Sequence, residues 1–139
     1  MPKLTRAILI VMLMAFVGLL AGCGGGQASL EGTKWKLTGW SISAAAGDEF
    51  ATTLEFNDGK LGGKAPVNSY GASYEARSNG TLTMGDVGRT LMAGPEPQMQ
   101  AEDRYFALLS QVKRYEVKGD ELTLSDANGN PQLIFARQK

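Results

Sequence analysis

Hydrophobic and polar residues alternate along most of this chain beyond residue 30. Segment 33–40 places Trp35 and Leu37 on one face and Lys34 and Lys36 on the other, which is typical of a half-buried strand. The same alternation recurs in segments 51–56, 70–76, 82–84, 115–117, 122–124 and 133–135, and segment 60–64 is predicted to return from the turn that follows 51–56. Most neighbouring segments are separated by Gly-containing turns at 57–59, 78–80, 119–120 and 128–129. The pattern predicts a meander of antiparallel strands.

One segment has helical periodicity instead. Between residues 97 and 112, apolar side chains recur at spacings of three, four and seven, which is typical of an amphipathic helix beginning near Pro97: Met99, Tyr105, Phe106, Leu109 and Val112. Polar residues lie between them: Gln98, Glu102, Asp103 and Arg104. The predicted class is therefore α+β, mostly β, with a small antiparallel sheet or partly open barrel packed on one amphipathic helix.

Two places interrupt the strand pattern. Gly62 and Gly63 are weak strand residues, and they predict either a bulge or a point where another backbone comes close. Trp40 is out of parity with Trp35 and Leu37. It either crosses a bulge or lies exposed, and in the second case it would be a candidate contact residue for a ligand or partner.

The N-terminus has the proportions of a signal peptide. Lys3 and Arg6 precede an uninterrupted apolar run of 14 residues from Ala7 to Leu20, which is shorter than the ~20 residues of a spanning helix. The run ends in Leu-Ala-Gly-Cys, and Cys23 is the only cysteine of the chain. The alternative is an ordinary secretory signal with a chance cysteine near its end.

This N-terminus resembles a bacterial lipobox. The resemblance implies cleavage after residue 22 and acylation of Cys23, followed by a flexible tether to residue 29 and a folded domain over 30–139. Two or three acyl chains hold a protein firmly, whereas one holds it marginally. Gly24 is not the Asp of an inner-membrane retention signal. We therefore expect a lipid-anchored protein of the cell envelope, on the periplasmic face of the outer membrane if the cell has two membranes.

Composition narrows the possible functions. The chain has no His, so Ser-His, Cys-His and thiol catalysis, and metal sites built on His or Cys, are excluded once Cys23 is acylated. Acidic pairs such as Glu102 and Asp103 are adjacent in sequence, which predicts different faces and solvation. Without residues 1–22 the net charge is about −2, which does not favour nucleic acid. We expect no enzyme activity, no cofactor, no nucleic-acid partner and no metal.

Segment 126–130 has some features of a calcium-binding loop. Asp126, Asn128 and Asn130 alternate as oxygen ligands do, but no acidic residue follows at the required distance, and a hairpin turn explains them better.

Four segments resemble the META domain, the HslJ-like family of bacterial envelope proteins associated with heat shock. They are 30–37 (LEGTKWKL), 68–74 (NSYGASY), 90–93 (TLMA) and 119–124 (GDELTL). The family pattern has Cys where this chain has Val67 and Gly94. The resemblance leaves open whether other members join these positions by a disulfide, which would close a loop of about 27 residues worth ~3 kcal/mol.

Asn68 and Tyr70 belong to the most recognisable of these segments. They could form part of a ligand rim, or Asn68 could satisfy a turn while Tyr70 packs in the core. The favoured hypothesis is a non-catalytic, lipid-anchored protein that binds another envelope component, an envelope protein, with a possible stress role. The alternative is a carrier or pilotin-like binder that holds an acyl chain or apolar peptide between helix and sheet.

Overall fold

The computed structural model describes residues 25–41 and 49–139. The predicted signal peptide and Cys23 lie outside the described residues. The strands are β1 (Thr33–Trp40), β2 (Thr53–Asn57), β3 (Lys60–Lys64), β4 (Ser69–Ala76), β5 (Leu82–Met84), β6 (Gly88–Arg89), β7 (Arg114–Lys118), β8 (Glu121–Ser125) and β9 (Pro131–Arg137), and the helix is α1 (Glu96–Gln111). Within the described ranges, no helix has the length and hydrophobicity to cross a membrane.

The strands form one antiparallel sheet that is nearly closed into a barrel. Its order is β5-β4-β3-β2-β1-β9-β8-β7, and the short β6 pairs with the opposite end of β4. The two outer strands meet, since the Leu82 amide donates to the Lys113 carbonyl and the Tyr115 amide to the Gly80 carbonyl, both at 2.9 Å. This confirms the predicted class and the barrel-like sheet.

Side chains of α1 and the sheet fill the interior. Tyr105 of α1 and Trp35, Phe56 and Phe135 of the sheet are all completely buried, together with leucines from six of the strands. Large apolar side chains in close packing supply most of the stability of such a domain. Among the described residues, these side chains form one continuous core cluster.

The two interruptions of the strand pattern have different structural causes. The pairing of β1 with β9 shifts register between Leu37 and Gly39, and this bulge turns Trp40 inward, so that it is only 6% exposed. Of the two alternatives for Trp40, the bulge is the one found. A Cβ on Gly63 would lie 2.2 Å from the Thr53 carbonyl oxygen, which confirms the close backbone approach predicted at this pair.

The N-terminal residues that the structure describes are attached to the barrel. The Gln27 amide donates to the Ser78 carbonyl at 2.7 Å, and its side-chain oxygen accepts from the Val117 amide at 3.0 Å. The predicted tether therefore contacts the domain from residue 27 onward.

Candidate functional site

A buried carboxylate holds the bend between β3 and β4. Glu102 of α1 is 1% exposed, and its Oε2 accepts the amides of Val67 at 2.8 Å and Asn68 at 2.7 Å. Its Oε1 accepts the Asn68 side-chain amide at 2.6 Å. The prediction that Glu102 is solvated is wrong, because the bend presents three N–H donors to a carboxylate on the inner side of α1.

Asn68 links this bend to the segment after β6. Its Oδ1 accepts the Met92 amide at 2.7 Å and the Thr90 hydroxyl at 2.8 Å, while its Nδ2 also donates to the Met92 carbonyl at 3.2 Å. Asn68 is 2% exposed. It therefore satisfies the backbone of two chain segments and presents no rim to a ligand. We call Glu102, Asn68 and Thr90 the bracket.

Electrostatics favour the ionised form of Glu102. Burial raises its pKa, but hydrogen bonds from Asn68 and Val67 and the charge of Arg89 outweigh burial, so the pKa is lowered from its usual 4.5. The Arg89 guanidinium lies 3.9 Å from Glu102 and 3.7 Å from Asp103. With both oxygens engaged, this carboxylate has a structural role and is poorly placed to act as a general base.

Tyr70 is a core residue whose hydroxyl is satisfied internally. It donates to the Thr53 carbonyl at 2.8 Å and lies 2.6 Å from the Tyr105 hydroxyl. Because the Tyr70 proton is used on Thr53, Tyr105 donates to Tyr70. Burial raises the pKa of both phenols, most strongly at Tyr105. All three candidate contact residues, Trp40, Asn68 and Tyr70, are therefore at least nine-tenths buried.

The bracket positions a small exposed apolar surface. Leu91 is 89% exposed and Met92 57%, and Val87, which precedes β6 in the sequence, is 36% exposed. Because Asn68 binds both the amide and the carbonyl of Met92, this segment is fixed while its side chains face solvent. We call Val87, Leu91 and Met92 the apolar tip. Sequence reasoning missed it, since an apolar block in a β-rich chain normally points inward.

A groove lies between α1 and the end of β1. It has a volume of about 250 Å³ and is lined by Trp40, Glu49, Phe50, Pro97, Gln100, Ala101 and Arg104. The Trp40 indole nitrogen is buried and has no hydrogen-bond partner among residues 25–41 and 49–139. The Arg104 guanidinium lies 6.0 Å from the centre of the Trp40 ring.

Two other sequence features have structural explanations. A Cβ on Gly94 would lie 3.5 Å from the Val67 Cβ, so the two positions where the family pattern has cysteines are adjacent. Asp126 accepts the amides of Asn128 and Asn130, both at 2.9 Å, as expected for the predicted hairpin turn. Among the described residues, no cluster of acidic side chains is arranged to hold a metal ion.

Comparison with known proteins gives a family and two solved structures of similar fold. The family model for the META domain matches residues 28–139. A solved NMR structure of a protein from Burkholderia xenovorans is 27% identical, with a TM-score of 0.64, and covers 79% of this chain and 84% of its own. A second NMR structure, 19% identical with a TM-score of 0.59, covers 77% of this chain and 90% of its own, and it shows the fold alone. No curated protein matches this chain.

Proposed function

Because the chain belongs to the META domain family, we propose that it is a non-catalytic, lipid-anchored protein of the cell envelope that binds another envelope protein. The lipobox-like N-terminus supports the anchor. The packed interior and the engaged oxygens of Glu102 support a binding role over a catalytic one.

The apolar tip is the observation that best supports binding to a protein partner. The Met92 amide is hydrogen-bonded to Asn68, the residue that directly precedes β4. Gln27 is hydrogen-bonded to Ser78, just beyond the other end of β4. Eight strand residues separate these ends by about 23 Å. A domain anchored through residue 23 would therefore hold the apolar tip on the side away from its attachment. Exposed apolar residues held at a fixed position are typical of protein contacts.

Photo-crosslinking in cells tests this proposal. A photoreactive phenylalanine replaces Leu91 in one variant and the exposed Asn79, at the anchored end, in the other. We expect one dominant protein adduct from position 91 that is lost when Met92→Ser is added, and no such adduct from position 79. Equal adducts from both positions, or none from position 91, would count against a partner at the apolar tip.

The structure makes the carrier hypothesis less favourable. The space between α1 and the sheet is filled by buried aromatic and aliphatic side chains. The groove beside Trp40 has a volume of about 250 Å³, below the ~300 Å³ at which pockets for drug-sized ligands begin. A second groove, lined by Gln27, Tyr74 and Tyr115 among others, has about 390 Å³, but it lies where the N-terminal segment meets the sheet and not between helix and sheet.

A further inference from the structure

The groove beside Trp40 combines an unused donor with a positive charge. A buried N–H without an acceptor costs roughly 1–3 kcal/mol, and such groups normally have a partner. The Trp40 indole nitrogen has none among residues 25–41 and 49–139, although Trp40 is only 6% exposed. Trp40 lines a groove that is open to solvent, but its indole nitrogen is itself covered, so an acceptor in the groove reaches this nitrogen only when neighbouring side chains shift.

The other tryptophan provides a comparison within the same molecule. Trp35 is also covered by a guanidinium, that of Arg137, at 4.4 Å from the ring centre. However, its indole nitrogen donates to the Thr33 hydroxyl at 2.7 Å. The two sites share a cation over a ring, and only the site at Trp40 has a donor left over. This difference indicates a position for a ligand rather than a packing solution common to both.

The lining of the groove restricts the ligand. The Trp40 N–H requires an acceptor, and the Arg104 guanidinium favours an anionic one. Phe50, Pro97 and Ala101 supply an apolar wall. Glu49 stands at the same groove and is able to accept an N–H, which a fatty acid lacks and a peptide has.

We propose that this groove binds the C-terminal residue of a peptide or protein with an apolar side chain. The terminal carboxylate accepts from Trp40 and pairs with Arg104. The side chain packs on Phe50, Pro97 and Ala101, and the last peptide N–H faces Glu49. A volume of about 250 Å³ suits one residue. The site deepens the proposed function, since it names a chemistry for the envelope partner, and it is separate from the apolar tip.

Indole NMR resonances test the site directly. The full chain is labelled with ¹⁵N-tryptophan and extracted in dodecyl maltoside, and Trp40→Phe assigns the two indole signals. The probe is acetyl-Ala-Leu with a free carboxylate, titrated to 10 mM. We expect the Trp40 indole proton to shift downfield in a saturable way, while the Trp35 signal stays in place because its donor is already used.

Matched probes and variants identify the chemistry. The same peptide as its C-terminal amide should shift Trp40 at least fivefold less at equal concentration. Arg104→Gln should weaken the acid peptide at least fivefold, and Arg137→Gln, which removes the cation at Trp35, should not. Such a result supports the proposal whether or not Cys23 is acylated.

Three results would overturn it. The first is no shift of Trp40 at 10 mM acid peptide, and the second is an equal response to acid and amide. The third is a response to octanoate without one to the peptide, which would assign the groove to a fatty acid. Whether the chain requires detergent for extraction reports separately on the anchor, so the two proposals fail independently.

Discussion

Glu102 is the residue on which the arrangement of this end of the barrel depends. Its carboxylate satisfies the Val67 and Asn68 amides and the Asn68 side chain, and Asn68 in turn holds Met92. Charge-assisted hydrogen bonds from several donors are among the stronger contacts available to a buried carboxylate. One side chain of α1 therefore fixes both the β3–β4 bend and the apolar tip.

Replacing this carboxylate by an amide tests the bracket. In Glu102→Gln, one acceptor oxygen is replaced by an NH₂ group that faces N–H donors. We expect the free energy of unfolding to fall by about 2–4 kcal/mol, measured by urea denaturation followed by tryptophan fluorescence. Asp103→Asn is the matched control: its side chain is 71% exposed and also lies near Arg89, and we expect a change below about 0.5 kcal/mol. Equal effects of the two variants would contradict the bracket.

The same variant should change the response to acid. The folded-state pKa of Glu102 is below its usual 4.5, so the ionised carboxylate stabilises the fold above pH 4.5 and loses this effect as the pH falls through the folded-state pKa. Between pH 5 and pH 3, the unfolding free energy of Glu102→Gln should therefore decline less steeply than that of the natural chain. Parallel curves would show that Glu102 carries no such linkage.

The sequence contains a signal for the burial of Glu102 but none for the partner that it binds. Glu102 lies three residues before Tyr105 and seven before Leu109, which puts a carboxylate on the apolar side of the predicted helix. That spacing was a usable signal for burial. Its partner could not be identified in the same way, because Asn68 is 34 residues away and reaches Glu102 only through the tertiary fold.

Among the elements, β3 shows most clearly what periodicity cannot convey. Its bounds, 60–64, match the predicted segment, and the double glycine indicated a close approach. The approaching backbone is that of Thr53 in β2, whose carbonyl also accepts the Tyr70 hydroxyl. The double glycine indicates that a neighbouring backbone lies close to this position, but not which strand that backbone belongs to.

The substitution Gly63→Ala tests the close contact between β3 and the Thr53 backbone. In Gly63→Ala the new Cβ would lie 2.2 Å from the Thr53 carbonyl oxygen, and the Thr53 backbone or that of residue 63 must move. We expect a loss of about 2–4 kcal/mol in urea denaturation. Gly88→Ala in β6 is the control, because its nearest atom is 3.9 Å away, and it should cost less than about 1 kcal/mol. A tolerated Gly63→Ala would mean that β2 and β3 are farther apart.

A disulfide between positions 67 and 94, before α1, is expected to stabilise the domain. Val67→Cys with Gly94→Cys places two Cβ atoms 3.5 Å apart, at the short end of the ~3.5–4.5 Å range of disulfides. In a Cys23→Ser background, we expect the oxidised double variant to have no free thiol and to be about 3 kcal/mol more stable than its reduced form. Gly94→Cys alone should destabilise, since its Cβ would lie 2.7 Å from a Val67 methyl group. Two free thiols after oxidation would contradict the adjacency.

At the scale of the whole molecule, the two ends of the barrel differ. Gln27 and Ser78 mark the end where the chain enters, and the bracket with its apolar tip marks the other. The hairpins β2–β3, β4–β5, β7–β8 and β8–β9 were predictable from short turns, whereas the pairing of β1 with β9 and the closure of the sheet were not. Closure depends on Leu82 and Tyr115, whose amides bind residues outside their own hairpins. The 90–93 segment lies outside the barrel, where Asn68 holds the Met92 backbone and the side chains of Leu91 and Met92 are exposed.

The anchor is the premise that gives these two ends their direction, and intact-mass spectrometry of the protein extracted from membranes tests it most directly. We predict a chain that begins at Cys23, lacks residues 1–22, and carries a diacylglyceryl group on the thiol with a further acyl group on the new amine. Cys23→Ser should remove the acyl mass and leave a folded, soluble domain. A chain that begins elsewhere, or an unmodified Cys23, would contradict the account.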